Sequence, residues 1–257
     1  MDLVSKPATS IATSLAKSFT SNVIERWTRR RAERFFEEFQ KRILDSKISG
    51  DNFTDQSKLI DDIIKSEKGS EVLFDAYRRV SLAKSKVIGP RIIGLMTAEI
   101  CLENRTANLI EESMFAVAET MCDYELICVA STIDSWFKNA HKEIPKVKKS
   151  DLAYTTKNEL TYILEHTVSD ITFGDTKEID LNIGYLDDIF DLGFNKFKNL
   201  GFLIERVSQS SFSFDEDSER HIDYSGKAQI MIKTISFPLE YRRIITLIKT
   251  MAEGVDI

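Results

Sequence analysis

The stretch Pro90-Arg91-Ile92-Ile93-Gly94-Leu95-Met96-Thr97-Ala98-Glu99-Ile100-Cys101-Leu102 decides the fold. Its apolar residues point in almost every direction of a 3.6-residue wheel, the pattern of a helix buried by neighbours on several sides. Such a helix belongs at the centre of a bundle. Pro90 suits the first helical turn, where its missing N–H costs nothing, and Gly89 before it permits a sharp reversal from the preceding helix. The element reads as core, and no catalytic constellation attaches to it.

Upstream, the chain reads as further helices. Leu73, Ala76, Tyr77, Val80, Ala83 and Val87 recur along one face of a helix that Ser70 can cap. A shorter helix with Leu59, Ile60, Ile63 and Ile64 precedes it and ends near Lys68 and Gly69. Between Arg26 and Arg42, Phe35, Phe36, Phe39 and Ile43 form the apolar side of an amphipathic helix. Its candidate basic patch is Arg29, Arg30, Arg31 and Arg34. Carboxylates at i+4, in the pairs Arg29/Glu33, Arg34/Glu38 and Glu37/Lys41, make this a solvated, self-paired face. Residues 1–24 hold just three charges, Asp2, Lys6 and Lys17. There Ile11, Leu15, Phe19 and Val23, continued by Trp27, repeat every fourth residue as a candidate interaction face.

Downstream, residues 103–106 are polar but compatible with continued helix. Met114, Val117, Ala118 and Met121 mark the next helix, and Asp123 can cap one carrying Leu126, Val129, Ala130, Ile133 and Phe137. Lys142–Ser150, charged and interrupted by Pro145, reads as a linker. Thr156 and Glu159 have capping-box spacing and predict a helix through Leu160, Ile163 and Leu164. Ile171, Phe173 and Ile179 suggest short extended pieces. Short helices follow at Gly184–Phe190 and Phe194–Leu200, the second ended by Gly201 in a left-handed cap. Phe202, Ile204 and Val207 then begin a strand, Ser208–Arg220 form a polar tip, and His221, Ile222 and Tyr224 return. A last helix carries Ile244, Ile245, Leu247 and Ile248. Helix, turn, helix, strand, wing, strand is the winged-helix order.

The fold expected is therefore mainly α, with an N-terminal helical bundle at 1–141, a linker at 142–150 and a winged-helix-like α+β domain at 151–257. The charge is uneven: residues 151–257 hold 11 Lys/Arg against 19 Asp/Glu, and residues 1–150 hold 24 against 22. An acidic C-terminal half disfavours wrapping nucleic acid, where cations must meet phosphates. A DNA-reading helix there would use Asn195, Lys196, Lys198 and Asn199, but the wing holds Asp215, Glu216, Asp217 and Glu219. Three cysteines, Cys101, Cys122 and Cys128, lie in or beside apolar helical patterns, so buried thiols and a reducing cytoplasm are expected in place of a disulfide framework. No uncharged apolar run approaches the ~18 residues of a membrane span, and no secretory leader is indicated.

Chemistry finds no foothold in the sequence. Asp187, Asp188 and Asp191 could face a hard cation, but they flank the apolar side of a helix and read as its solvated face. His141, His166 and His221 are isolated from one another and from the cysteines, and no glycine-rich phosphate loop occurs. The expectation is no catalytic residue, no metal and no cofactor.

In layout, the segments RRRAERFFEEF (29–39), VLFDAYRRV (72–80), NLGFLIE (199–205) and DYSGKAQIMI (223–232) resemble the bacterial Abi-alpha (abortive-infection alpha) family. That resemblance implies a role in resistance to phage and carries over no functional residue. The function expected is thus a cytoplasmic, non-enzymatic interaction protein that self-associates or binds a protein partner. One alternative is a peripheral membrane effector, residues 1–42 inserting the Ile11/Leu15/Phe19 face while the arginines meet anionic headgroups. Another is a winged-helix nucleic-acid-binding regulator.

Overall fold

The structure is a computed structural model of the 257-residue chain and describes residues 25–46, 62–140, 153–170, 192–216 and 224–254. It is mainly helical, with one four-stranded antiparallel sheet among the described residues. The chain divides into two compact units, Met1–Tyr124 with Thr250–Ile257, and Glu125–Lys249. The expected linker at 142–150, the expected helices within 1–24 and at 184–190, the extended pieces at 171–179 and the carboxylates Asp187, Asp188 and Asp191 all lie outside the described residues.

In the first unit, α1 (Glu25–Asp45) buries Phe35, Phe39 and Ile43, spaced by four. Helix α2 (Glu67–Leu82) buries Ala76 and Val80, and α4 (Leu109–Thr120) buries Met114, Phe115, Val117 and Ala118. Between them runs α3 (Ile88–Leu102), buried at Ile88, Ile92, Ile93, Met96, Ala98 and Ile100, which accounts for its all-round apolar wheel. Two glycines let neighbours touch its backbone. A Cβ on Gly94 would stand 2.3 Å from the Phe35 carbonyl oxygen of α1, and one on Gly89 would stand 2.2 Å from the Ala118 carbonyl oxygen of α4. Gly89 thus lies inside α3 and serves close packing; it is not the reversal that the sequence suggests.

Helix ends also differ from the sequence reading. The Ser66 hydroxyl accepts from the Gly69 N–H at 3.0 Å, so the cap is Ser66 and not Ser70, and a helical turn at 62–65 precedes it. Helix α2 stops at Leu82 although Val87 continues the apolar period. The Asp123 carboxylate accepts from the N–H groups of Lys86, Val87 and Ile88 at 3.0, 3.3 and 2.9 Å, which holds this segment as the entry to α3. Residues 103–106 leave the helix, with Asn104 at φ 49°. Asn108 and Glu111 then form a capping box on α4, and Arg105 grips both Glu111 oxygens at 2.6 and 2.7 Å. This fork satisfies a carboxylate that is almost wholly buried. On the last helix of the chain, α7 (Arg242–Ala252), the Met251 carbonyl accepts from the Arg91 guanidinium at 3.0 Å.

In the second unit lies α5 (Asp123–Asn139), apart from its first two residues. The sequence reading grouped this helix with the bundle. Its aromatic end instead packs here: Trp136 stacks on Tyr162 at 4.7 Å and meets Phe194 edge-on at 5.6 Å, while Phe137 meets Phe237 at 6.1 Å.

The expected helix after Thr156 is absent. Ala153–Thr155 form β1 and Glu159–Asp170 form β2, an antiparallel hairpin in which Thr156 accepts from the Glu159 N–H and donates its own N–H to the Glu159 carbonyl at 2.8 Å. Capping-box spacing is here a three-residue turn. Helix α6 (Leu192–Asn199) follows, with Gly201 at φ 85° just beyond it. The expected polar tip from Ser208 is a continuing strand: β3 spans Ile204–Glu216 and pairs throughout with β4, Tyr224–Pro238. The order is β1-β2-β4-β3, all antiparallel, with a register shift between Ile163 and Glu165. Across β4, Glu159 of β2 and Arg206 of β3 form a two-pronged ion pair, and the buried Ser236 between them shares a hydrogen bond with Thr161 at 2.9 Å.

Candidate interaction site

A cavity of about 150 Å³ lies among α2, α3 and α4, lined by Glu71, Asp75, Arg79, Thr97, Glu112 and Phe115 among others. Its single cation is already engaged. The Arg79 guanidinium lies 2.6 Å from the Glu112 carboxylate and 4.0 Å from Glu119, and sits over the Phe115 ring at 5.1 Å. The Thr97 hydroxyl donates to the Ile93 carbonyl at 2.6 Å, one turn back in its own helix. The cavity's lining holds neither histidine nor cysteine. Among the described residues, no group of three His, Cys, Asp or Glu could hold a metal ion. The cavity draws on three helices, and no local spacing in the sequence signals it.

Beside this cavity, α2 turns a large apolar surface outward. Phe74 is 69% exposed and Leu82 65%, with Tyr77 on the same side of the helix as Phe74. Leu109, at the start of α4, is 82% exposed. Side chains of this size carry much of the apolar area that associating proteins bury. Phe74 and Leu82 stand off the apolar stripe that marks the buried side of α2, and that offset is the sequence signal for them. Tyr77, expected on the stripe, is exposed.

The candidate basic patch is mostly spent within α1 and on its neighbour. Arg29 pairs with Glu33 at 3.3 Å, as the spacing predicts. Arg34 turns to Glu37 at 2.9 Å instead of Glu38, and Lys41 turns to Glu38 at 3.8 Å instead of Glu37. Arg31 makes a long hydrogen bond, 3.4 Å, to the Ser81 carbonyl, and Arg30 is exposed. Ile11, Leu15, Phe19 and Val23 lie outside the described residues; Trp27 falls on α1 at a position whose side chain is likewise outside them.

No protein-family model, curated protein or solved structure matches this chain.

On α6 the two lysines of the candidate nucleic-acid contact are also taken. The Lys196 ammonium bonds the Glu125 carboxylate, and Lys198 bonds Glu205, which also holds Lys233 at 2.9 Å. These lysines, Lys198 first, hold the Glu205 carboxyl below its ordinary range. Asn195 and Asn199 are exposed at the same helix. Among the described residues no helix is long and apolar enough to cross a membrane.

Proposed function

We propose that this chain is a non-enzymatic interaction protein of bacterial anti-phage defence, acting in the cytoplasm by self-association or by binding a protein partner. The observation that carries the reading is the outward face of α2, where Phe74 and Leu82 are spread to solvent. The resemblance in layout to the Abi-alpha family supplies the setting in defence, and no functional residue comes with it. The second unit supports a winged-helix-like reading: α6 leads into β3, and β4 returns between β3 and β2. A phosphate-gripping use of that unit needs free cations at α6. Lys196 and Lys198 are bound to carboxylates, which favours a protein partner over nucleic acid.

The test is the solution mass of the protein, measured by light scattering at two salt concentrations. Wild type is compared with Phe74→Ser/Leu82→Ser and with a chain lacking residues 1–24. An assembly that persists at high salt and weakens in the double variant supports the reading, because apolar contacts are not screened. A monomer that binds duplex DNA tightly at low salt, with an affinity that falls steeply as salt rises, overturns it in favour of the nucleic-acid alternative.

A further inference from the structure

We propose that the cavity among α2, α3 and α4 is a binding site for a small organic cation, a primary ammonium borne on an apolar body about the size of a benzene ring. The site goes beyond the association reading and is separate from its surface, since neither Phe74 nor Leu82 is in the lining. Its space is about 150 Å³, and an apolar hollow of that order takes one benzene-sized molecule. The inner wall suits such a body. Ala76, Ile100 and Phe115 are buried apolar side chains, and the buried Thr97 gives its proton to the Ile93 carbonyl.

Charge decides what the body must carry. The lining holds three carboxylates, Glu71, Asp75 and Glu112, against one guanidinium, Arg79. Arg79 is shared between Glu112 at 2.6 Å and Glu119 at 4.0 Å, so its charge is already matched on the α4 side. Glu71 and Asp75 stand four residues apart on α2, one turn above the other on a single face, where like charges repel. Neighbouring cations do not relieve both. The Lys68 ammonium donates to the Asn104 carbonyl at 2.6 Å, and Arg78 lies 3.6 Å from Asp75 in a pair whose side chains are more than half exposed. An exposed pair of that kind is weak. Among the described residues, no ion pair or hydrogen bond reaches the Glu71 carboxylate.

An ammonium seated between Glu71 and Asp75 removes their repulsion and donates a charge-assisted hydrogen bond to each, while the apolar body fills the space against Ile100 and Phe115. Other ligand classes fit less well. An anion meets three carboxylates and a guanidinium already held by two of its own chain's acids. A bare metal ion finds no group of three ligands among the described residues, and it leaves the apolar wall unfilled.

The experiment titrates the full chain with three probes of one shape, benzylamine, neutral benzyl alcohol and anionic benzoate, by isothermal titration calorimetry. Benzylamine should bind saturably, one per chain, with a Kd of roughly 0.1–1 mM, well within the ceiling for so small a ligand. Benzyl alcohol should bind at least about tenfold more weakly, and benzoate more weakly still. Glu71→Gln/Asp75→Asn keeps the shape of the lining and removes both charges; with a thermal midpoint close to that of wild type, it should lose at least about tenfold in affinity for benzylamine and none for benzyl alcohol. Glu240→Gln/Glu253→Gln makes the same change of charge on exposed residues outside the lining and should bind benzylamine as wild type does. Equal affinity for the amine and the alcohol overturns the cation assignment. Equal loss in the two double variants overturns the site, because it shows general attraction to an acidic chain, and so does the lack of saturable benzylamine binding up to about 10 mM. None of these outcomes bears on the association reading, which the solution mass tests.

Discussion

The Asp123 carboxylate accepts a hydrogen bond from the Ser85 hydroxyl, and that hydroxyl accepts from the Gly89 N–H at 2.6 Å. With the N–H groups of Lys86, Val87 and Ile88, one side chain thus serves the start of a helix to which it does not belong. Helix α3 has no side-chain cap of its own at Val87. Asp123→Ala should therefore cost about 1–3 kcal/mol, the range for losing a cap and leaving part-buried donors unmet. For a chain of this size that is roughly 2–4 °C in Tm per kcal/mol. Asp123→Asn should cost less, because its amide oxygen still accepts. Differential scanning calorimetry of the two variants checks this; equal midpoints for Asp123→Ala and wild type would remove the capping role.

Gly94→Ala should destabilise the first unit although alanine is the better helix former. Helix propensity favours the change by about 1 kcal/mol. The new methyl, however, would meet the backbone of α1, the Phe35 carbonyl oxygen at 2.3 Å, and a carbonyl cannot rotate aside as a side chain can. Overpacking of this kind costs typically about 1–3 kcal/mol, so the balance is a net loss. The urea midpoint is the measurement.

Acid should weaken the second unit through its ion pairs. Glu205 is held below its ordinary value by Lys198 and then Lys233, Asp134 by Lys249 and then Lys138, and Glu159 chiefly by Arg206. A carboxyl depressed in the folded state contributes stability that is complete above its unfolded pKa, and loses it as pH falls through the folded one. The loss therefore begins below the ordinary glutamate value of 4.5. Urea midpoints from pH 7 down to about 3 should fall less steeply for Glu205→Gln than for wild type. Parallel profiles would contradict the assignment.

Burial pushes the Cys101 thiol up to about 11. At pH 8 roughly one molecule in a thousand then carries the thiolate, the species that reacts. Iodoacetamide labelling at pH 8, read by peptide mass spectrometry, should modify Cys101 at least about tenfold more slowly in the native protein than in urea. Equal rates would show that the site is open.

How far the sequence carried depended on whether the signal was local. The apolar wheel of Ile92, Ile93, Met96 and Ile100 is local, and it identifies the central helix; Gly201 after α6 is local in the same way. Thr156 and Glu159 misled because a serine or threonine three residues before a glutamate fits a hairpin turn as well as a helix start. The β-branched and aromatic run Thr161, Tyr162 and Ile163 was the competing signal. Asp123 was legible as a cap, but its target lies 35 to 37 residues upstream, which no spacing rule reaches. The cavity beside Arg79 is equally non-local, as it needs α2, α3 and α4 assembled. Lys196 and Lys198 looked like phosphate ligands until Glu125 and Glu205 came within reach, the first from 71 residues away.

The Arg91 bond to the Met251 carbonyl joins residues 160 apart, and β2 has its main partner in β4, Glu159 lying opposite Pro238. On a ribosome adding about 5–20 residues per second, α3 is made on the order of ten seconds or more before Met251 follows it. β2 waits several seconds for β4. The first unit waits for residues made after the whole of the second, so both are completed late and almost together. A nascent chain halted near residue 230 would carry α3 without the Met251 carbonyl that Arg91 meets and β2 without most of its partner, so interrupted synthesis leaves both units unfinished.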